Sequence, residues 1–402
     1  MPLKAYQTDY LLLLVGGNPL PVYVSAMQLA TERTQVKLLY SPPRDGSRNT
    51  KTLALYLQKA IERKVQSAVE LLDVPSANGR KIRTKLDALI ETIPAGATVG
   101  VNYTGGTKQM VVYSLQVLEK RHGPRLVRSY LNAQDRQMYI DDGTYVNPVP
   151  VQTGDQITFD DLLYLHGYKR ISSVLLPDIQ HEELIDALFT VHQTEAGIRA
   201  WYDWRRNEYA EAKALPTVEN HPNLTPVIEV IERICEGKPT PEAVARYLNC
   251  KNDNFASCAN WFKGVWFEQW VVREVLSVAE RFDVHSVGTN LIIQREDHQS
   301  GSIRMEIDMV VMLNYQLFAI SCIASSSNKG ETKKHLFEAY TRARQLGGDE
   351  ARVALVYLGD GKEKLEYEIN RDWLVSDAIT VFGRNELRNF RREVYGWFRR
   401  NS

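Results

Sequence analysis

The segment from residue 102 to residue 108 reads Asn-Tyr-Thr-Gly-Gly-Thr-Lys and has the composition of a phosphate-binding loop. It follows a short apolar run and precedes a helical pattern, so its two glycines fall at a strand-to-helix turn. Glycine lets a ligand approach the backbone closely, and the free N–H groups that open a helix attract anions. Short polar side chains and one lysine complete the set. The candidate ligand-binding residues of this loop are Asn102, Thr104, Gly105, Gly106, Thr107 and Lys108.

The common nucleotide-binding motifs do not describe this loop. Neither the P-loop spacing GxxxxGK[ST] nor the dinucleotide spacing GxGxxG occurs there, which disfavours ATP hydrolysis and NAD binding. The alternative to an anion site is a tight turn in which Thr107 caps the following helix.

Carboxylates in the last third of the chain are spaced as in metal-dependent nucleases of the PD-(D/E)xK type. In that pattern a helical Glu, a strand Asp and a (D/E)xK element on the next strand converge on Mg²⁺ or Mn²⁺, and the lysine orients or activates water. Glu268 lies in a helical pattern, and Glu306 and Asp308 lie on one predicted strand. We expect Asp308 and Glu268 to bind the metal. The candidate catalytic residues are Glu268, Glu306, Asp308 and Ser321.

The third element departs from that pattern, because Ser321 and Ile323 stand where an acidic residue and a lysine are expected. Serine is a weak Mg²⁺ ligand in place of a carboxylate, and isoleucine neither orients nor deprotonates water. Either the site is inactive or its groups have migrated. The candidates for migrated groups are Lys329, Lys333, Lys334 and Glu338. Two of the carboxylates also have non-catalytic alternatives: for Asp308 an ion pair with Arg304, and for Glu268 simple exposure to solvent.

Strands and helices alternate over the first 165 residues. The expected strands are 10–15, 36–40, 97–101, 125–131 and 137–140, and the expected helices are 20–33, 49–64 and 107–121. This alternation predicts a mostly parallel, Rossmann-like sheet for residues 1–165, with any ligand at the carboxyl ends of its strands. After the second strand, Arg44 and Arg48 are candidates for phosphate contact or parts of a solvated loop.

Two further regions follow. Residues 166–255 predict a helical connector, because prolines interrupt a helical pattern from Ile171 to Tyr247. Residues 256–402 predict a second α/β domain. Its expected helices are 264–281 and 332–346, and its expected strands are 287–294, 304–313, 317–323 and 353–357.

The last residues form a basic helical pattern. We expect a solvated amphipathic helix, with contact to nucleic-acid phosphates as the alternative. Its arginines are Arg384, Arg388, Arg391, Arg392, Arg399 and Arg400. The tryptophans at positions 201, 204, 261, 266 and 270 are expected in a core or an interface.

Bulk composition narrows the class of protein. Among 402 residues, Lys plus Arg and Asp plus Glu are equal at 49 each, so any anion site must be local. The four cysteines lack zinc-ligand spacing. The start of the chain has neither a signal-peptide pattern nor a membrane-span pattern, so we expect a cytoplasmic protein with reduced thiols and no membrane partner.

The loop at 102–108 resembles the signature loop of CRISPR-associated Rossmann-fold (CARF) domains, and its position late in an α/β domain is similar too. The resemblance implies a homodimer that binds a cyclic oligoadenylate across its two-fold axis, with tetra-adenylate favoured over hexa-adenylate. It also implies that this loop lines the ligand backbone and that Gly17 and Asn18, in the turn after the first strand, belong to the opposing wall.

Residues 264–348 resemble the restriction-endonuclease-like half of dimeric CARF nucleases, through Glu306-Ile307-Asp308, the hairpin after it and the segment 343–348. The resemblance implies a ligand-activated, metal-dependent nuclease of type III CRISPR antiviral defence, a hydrolase that cuts DNA, RNA or both. Two alternatives stay open. One is a sensor with an inactive nuclease fold, which Ser321 and Ile323 favour, and the other is a ring nuclease that degrades its own ligand.

Overall fold

Two β-sheets organise the chain, and helices pack against them. The computed structural model describes residues 2–43, 50–133, 135–143, 145–153, 157–174, 179–282, 284–295, 305–324, 329–373 and 378–401. The predicted mixed α/β fold class is confirmed. None of the helices in these ranges combines the length and the apolar character that a membrane span needs.

The first sheet is mostly parallel. Its strands are β1 (Tyr10–Leu14), β2 (Gln35–Tyr40), β3 (Ala68–Asp73), β4 (Val99–Asn102), β5 (Leu126–Asn132), β6 (Gln137–Asp141) and β7 (Val146–Pro150). They follow the order β3-β2-β1-β4-β5-β6-β7, and the first five in that order are parallel. The connection order reverses between β1 and β4, which creates a crevice at the carboxyl ends of the strands.

Five helices accompany this sheet and complete what we call the first unit. They are α1 (Leu20–Leu29), α2 (Lys51–Val65), α3 (Gly79–Glu91), α4 (Lys108–His122) and α5 (Phe159–Leu165). Helical cover explains why the central strand reads as a continuous apolar run, because residues 11–14 are each at most 2% exposed.

The second sheet has six strands. They are β8 (Tyr168–Val174), β9 (Val284–Arg295), β10 (Met305–Leu313), β11 (Gln316–Ile323), β12 (Arg352–Tyr357) and β13 (Ile379–Phe382). Their order is β13-β12-β11-β10-β9-β8, with antiparallel pairing from β8 to β11 and parallel pairing from β11 to β13. The β10–β11 hairpin carries the predicted Asp308 and Ser321 on adjacent strands.

Nine helices accompany the second sheet among the described residues, and together they form what we call the second unit. They are α6 (Glu182–Val191), α7 (Glu195–Asp203), α8 (Thr225–Ile234), α9 (Pro241–Tyr247), α10 (Trp266–Ala279), α11 (Lys329–Gly347), α12 (Lys362–Trp373), α13 (Arg384–Leu387) and α14 (Phe390–Asn401). Two π-helical turns, Trp204–Ala212 and Trp261–Val265, lie among them. The five tryptophans at 201, 204, 261, 266 and 270 are all buried, which confirms that they are core residues.

The helical connector predicted from Ile171 is wrong in its first residues. Tyr168–Val174 forms β8, which pairs with β9 at the edge of the second sheet. Its Lys, Arg and Ser residues hide the apolar periodicity that predicts a strand, and pairing with β9 determines its structure instead. The sequence patterns also missed β3, α3, β7, α5, α12 and β13. The domain division at residues 165 and 255 stays a prediction.

The expectation of four reduced thiols is also wrong, because Cys250 and Cys258 form a disulfide with their Cα atoms 5.6 Å apart. Short 3-10 helical segments, Lys251–Asp253 and Phe255–Cys258, turn the chain between the two residues and bring their side chains together. Cys235 and Cys322 are free thiols.

The two units share an apolar core. One cluster of buried side chains includes Leu13 and Leu20 of the first unit together with Leu317 and Leu346 of the second. Helix α5 contacts α2 of the first unit and both β8 and α11 of the second. The units are therefore packed against each other as well as linked through the chain.

Two of the C-terminal arginines form ion pairs within the protein instead of a free basic face. Arg384 pairs with Asp360. Arg391 Nε lies 2.6 Å from Glu274 Oε2, and Arg391 Nη2 lies 3.1 Å from Glu274 Oε1, so the pair is bidentate. The Glu274 side chain is only 10% exposed. This pair connects α14 to α10.

We predict that Arg391→Ala lowers the free energy of unfolding by about 1 kcal/mol, a modest value because the arginine is largely exposed and solvent screens it. Glu274 also keeps a second partner, with Arg273 Nε 3.3 Å from its Oε1. Urea unfolding measures the change. Arg392→Ala is the matched control, since Arg392 is exposed on the same helix and has no side-chain partner among the described residues. Equal effects of the two substitutions would contradict the prediction.

Candidate functional site

A pocket opens at the carboxyl ends of three neighbouring parallel strands, β1, β4 and β5, and its volume is about 440 Å³. The turn after β1 supplies residues 16–18, the loop after β4 supplies residues 104–106, and the end of β5 supplies residues 130–133. This is the crevice where the strand order reverses, which is the usual ligand position in an open α/β sheet.

Glycine is required where the two turns meet. A Cβ atom on Gly105 would lie 2.1 Å from Leu14 O and 2.9 Å from Gly16 N. Gly106 has a φ of +80°, a conformation that L side chains rarely adopt. The turns therefore approach backbone to backbone, and a ligand in the pocket meets main-chain groups where it contacts them.

Asn102 and Thr104 shape this loop through hydrogen bonds. Asn102 is 1% exposed, its Oδ1 accepts a hydrogen bond from Thr104 N at 3.2 Å, and its Nδ2 donates one to Ser129 Oγ at 3.0 Å. Thr104 Oγ1 accepts a hydrogen bond from Leu131 N at 2.7 Å. Asn102 therefore supports the loop from the protein interior, whereas Thr104 lines the pocket.

Thr107 and Lys108 lie at the start of α4, beside the pocket. Thr107 Oγ1 accepts a hydrogen bond from Met110 N at 3.2 Å and donates one to Ser76 O at 2.6 Å. These bonds match the capping interpretation of Thr107. Lys108 is exposed at the first position of the helix. It follows Gly106, the last residue of the loop that lines the pocket, by two positions and is not itself part of the lining.

The predicted ligand residues thus fall into two groups. Those that line the pocket are Gly17, Asn18, Thr104, Gly105 and Gly106, and those that are not part of its lining are Asn102, Thr107 and Lys108. Arg44 and Arg48 lie outside the described residues.

Three polar or aromatic residues of the pocket were missed by sequence analysis: Tyr130, Asn132 and Glu350. Tyr130 is 40% exposed and stacks on Tyr103, with ring centroids 5.8 Å apart. Tyr130 and Asn132 could have been predicted from the sequence, because they lie at the end of β5, the strand that follows the glycine loop and its helix. Glu350 comes from the second unit, more than two hundred residues away along the chain, and no local pattern indicates it.

A groove of about 540 Å³ in the second unit collects the predicted carboxylates. Glu268 of α10 and Glu306 of β10 line it, together with Cys322 and Ile323 of β11. Asp308 and Ser321 adjoin this lining through Cys322. The structure therefore brings the four candidate catalytic residues to one place, although they come from a helix and two strands.

Asp308 is held by two donors from the neighbouring strand. Its Oδ2 accepts hydrogen bonds from Cys322 N at 2.7 Å and from Ser321 Oγ at 3.2 Å. Burial raises the pKa of Asp308; the two hydrogen bonds oppose this rise, and the negative charge of Glu306 adds to it. Ser321, at the position expected for an acidic residue, thus acts as a donor to Asp308. The predicted alternative partner, Arg304, lies outside the described residues.

Glu268 is half-buried rather than exposed, so the simple solvated alternative is wrong for this residue. Burial raises the pKa of Glu268 to about 7, and the negative charges of Asp308 and Glu306 contribute to the rise. A carboxyl group with this pKa can take up and release a proton at neutral pH, as acid–base catalysis requires.

The predicted metal site is not assembled by these side chains as they stand. Within the part of the chain that the structure describes, no three His, Cys, Asp or Glu side chains converge as a metal-binding set. One carboxylate oxygen of Asp308 is directed to the main-chain N–H of Cys322. We therefore derive no chemical step through a metal, and the binding of Mg²⁺ or Mn²⁺ by Asp308 and Glu268 stays a prediction.

No candidate for a migrated lysine or carboxylate whose side chain the structure describes is part of the groove lining. These candidates are Lys333, Lys334 and Glu338. Lys333 Nζ lies 2.6 Å from Glu368 Oε2, and Glu338 Oε2 lies 3.6 Å from Arg342 Nη2. The side chain of Lys329 lies outside the described residues.

Other basic side chains line the groove, namely Arg205, Lys263 and His335. Lys263 belongs to the π-helical turn just before α10, five residues before Glu268. Its position in that helical run was a usable sequence signal. Arg205 comes from the π-helical turn after α7, so its place in the groove depends on the fold alone.

The arrangement of both sheets recurs in solved structures. No family model and no curated protein sequence matches this chain. Protein VC1899 from Vibrio cholerae has 15% sequence identity and a TM-score of 0.70, with 98% of each chain covered. Can2 from Sulfobacillus thermosulfidooxidans, solved in complex with cyclic tetra-adenylate, has 16% identity and a TM-score of 0.70, covering 96% of this chain and 99% of its own. At such identities the comparison shows a shared fold across both units.

We predict that Gly105→Ala lowers the free energy of unfolding by about 1 to 3 kcal/mol, because the new methyl group meets the fixed Leu14 carbonyl. Gly96→Ala is the matched control, since a Cβ atom on Gly96 meets nothing within 4 Å. Urea unfolding of both variants measures the difference. Equal stability of the two variants would show that the turns are not in close contact.

We predict that Glu268→Gln raises the free energy of unfolding at pH 8 and raises it by a smaller amount at pH 5. Between the usual value of 4.5 and a pKa of about 7, folded Glu268 keeps a proton that the unfolded chain releases, so the wild-type protein loses stability as pH rises through this window. The variant lacks that loss, which is worth about 3 kcal/mol over the whole window. Urea unfolding in EDTA at both pH values tests this, with Glu280→Gln, exposed at the end of α10, as the control. A pH-independent difference would contradict it.

Proposed function

We propose that this chain is a sensor of the CARF class that binds a cyclic oligoadenylate, tetra-adenylate in particular, between the turns at 16–18 and 104–106. The observation that carries the proposal is the glycine-lined pocket at the strand-order reversal. Backbone N–H groups and a helix start beside it suit phosphates, and exposed Tyr130 offers a surface on which an adenine can stack. The complex of Can2 with cyclic tetra-adenylate supports the same choice of ligand.

The size of the ligand supports a homodimer. One chain offers a pocket of about 440 Å³. Pockets for drug-sized ligands span roughly 300 to 1,000 Å³, and a ring of four nucleotides is larger than such ligands. A symmetric ring is matched by two copies of the same pocket across a two-fold axis. Each copy then binds half of the ring.

We further propose that the groove of the second unit cleaves nucleic acid. The specific observation is that the pKa of Glu268 is raised to about 7. This carboxyl group lies near Glu306 and Asp308 and in the same groove as two basic side chains, Arg205 and Lys263. In this reaction the basic side chains attract the phosphodiester, and Glu268 donates or accepts a proton near neutral pH. A sensor without cleavage activity is the alternative, favoured by Ile323 at the position of the expected lysine.

We predict that Lys108→Ala weakens binding of cyclic tetra-adenylate about tenfold or more, because a charge-assisted contact to phosphate is lost at the pocket rim. Isothermal titration calorimetry measures the affinity. Lys59→Ala is the matched control, since Lys59 is exposed on α2 away from the pocket. Unchanged affinity in Lys108→Ala would remove this lysine from the site.

We predict that Asp308→Asn reduces cleavage of labelled DNA or RNA at least about a hundredfold, in Mg²⁺ or Mn²⁺ with cyclic tetra-adenylate present. The amide oxygen still accepts the hydrogen bond from Cys322 N–H, so the loss reflects the charge rather than misfolding. Ligand affinity should stay at the wild-type value, and Asp87→Asn on α3 controls for a lost surface charge. Undiminished cleavage would contradict the assignment, whereas no cleavage by the wild-type protein would favour the sensor without nuclease activity.

A further inference from the structure

One wall of the ligand pocket comes from the second unit. Glu350 lies in the short turn between α11 and β12, and it lines the pocket beside Asn18. Its main-chain oxygen accepts hydrogen bonds from Gln316 Nε2 at 2.8 Å and from Arg352 Nη1 at 3.0 Å. These bonds fix the backbone of the turn, so the position of the Glu350 side chain relative to the pocket is well defined.

The turn is built closely around Asn18. Gly348 has a φ of +70°, and a Cβ atom there would lie 1.8 Å from Asn18 Nδ2, so no side chain fits. Asn18 Oδ1 accepts a hydrogen bond from Leu20 N at 3.1 Å, which orients the amide. The Nδ2 group then donates to Glu350 Oε2 at 3.1 Å. The pocket therefore has a wall in which one predicted ligand residue and a carboxylate of the other unit are joined.

The Glu350 carboxylate is left with spare acceptor capacity. Among the described residues, Asn18 is the one side chain that donates a hydrogen bond to it. A carboxylate offers about four acceptor positions. Burial raises the pKa of Glu350, while a hydrogen bond from its own main-chain N–H, the positive charges of Arg352 and Arg344 and the hydrogen bond from Asn18 oppose this rise. A half-buried acceptor of this kind is stabilised by further donors, and the cavity is where a ligand supplies them.

The negative charge of a carboxylate determines which groups of a cyclic oligoadenylate it can contact favourably. Phosphates carry negative charge and accept hydrogen bonds, so Glu350 repels them. The donors on the ring are the adenine 6-amino groups and the ribose 2′-hydroxyl groups. The phosphates are thereby directed to the glycine loop and Lys108, and the donor groups are directed to Glu350.

We propose that Glu350 is a ligand-recognition residue, contributed by the second unit, whose carboxylate accepts hydrogen bonds from the neutral donor groups of the cyclic oligoadenylate. The ligand site is then composite and needs both units of the chain. This inference rests on the proposed function of the pocket. It assigns a residue and an orientation that the glycine loop does not define.

The test compares ring binding by the full-length wild-type protein, Glu350→Gln and Glu350→Ala, by isothermal titration calorimetry. Three rings are used: cyclic tetra-adenylate, its 2′-deoxy analogue and an analogue whose purines lack the 6-amino group. We expect both variants to bind cyclic tetra-adenylate at least about tenfold more weakly than the wild type. Glu229→Gln is the matched control, because Glu229 is exposed on α8 and the charge change is the same.

The analogues separate recognition from a purely structural role. If Glu350 accepts a hydrogen bond from one donor type, the wild-type protein binds the analogue that lacks this donor more weakly, and Glu350→Ala binds that analogue and the natural ring equally. The analogue that Glu350→Ala binds as tightly as it binds the natural ring identifies the donor, which is either the amino group or the hydroxyl group. If Glu350 had a purely structural role, the Glu350 variants would bind all three rings more weakly by the same factor. Each analogue would then still bind more weakly than the natural ring to the extent seen in the wild-type protein, and that result would overturn the inference.

Two other outcomes are also decisive. Wild-type affinity in both Glu350 variants would overturn the inference and leave the proposed function standing. No binding of cyclic tetra-adenylate by the wild-type protein would contradict the proposed function itself, and the inference with it. Glu350→Met keeps the length of the side chain but lacks the carboxylate acceptor, so it replaces Glu350→Ala in the analogue comparison if that variant is poorly folded.

Discussion

The close approach of two backbone turns is the constraint on which the candidate ligand site depends. Gly105 packs against the carbonyl of Leu14 with no room for a Cβ atom, and this contact aligns the ends of β1 and β4. Because the contact is made by backbone atoms, the crevice at the strand-order reversal stays open and polar. Asn102 and Thr104 hold the loop in place with hydrogen bonds to β5, so the pocket is formed before any ligand arrives.

The two cavities differ in their electrostatic character, and the difference matches their proposed roles. The pocket of the first unit offers backbone groups, and an exposed lysine follows its glycine loop at the start of α4, which suits a polyanion. The groove of the second unit concentrates Glu268, Glu306 and Asp308, and burial together with mutual repulsion keeps Glu268 protonated up to about pH 7. Glu350 joins the two units at the pocket, through its hydrogen bond with Asn18.

Local signals were sufficient where neighbouring residues determine structure. The glycine loop, the Thr107 cap and the shared strand of Glu306 and Asp308 follow from short-range rules of turns, caps and strand alternation. Residues that reach a site through tertiary packing were not predictable, because neither Glu350 nor Arg205 has a neighbour along the chain that indicates its role. The same reason accounts for β8, whose structure depends on pairing with β9 rather than on its own composition. The Cys250–Cys258 disulfide is different, because local 3-10 turns bring its two cysteines together.

The most direct test of the account is a calorimetric titration of the full-length wild-type protein with cyclic tetra-adenylate and, separately, with linear tetra-adenylate. We expect the cyclic form to bind with one ring per two chains, because two copies of the pocket enclose one symmetric ligand. The linear form should bind at least about tenfold more weakly, since ordering its free ends costs conformational entropy. Absence of binding, or equal affinity for the two forms, would contradict the central claim that this pocket is a receptor for a cyclic oligoadenylate.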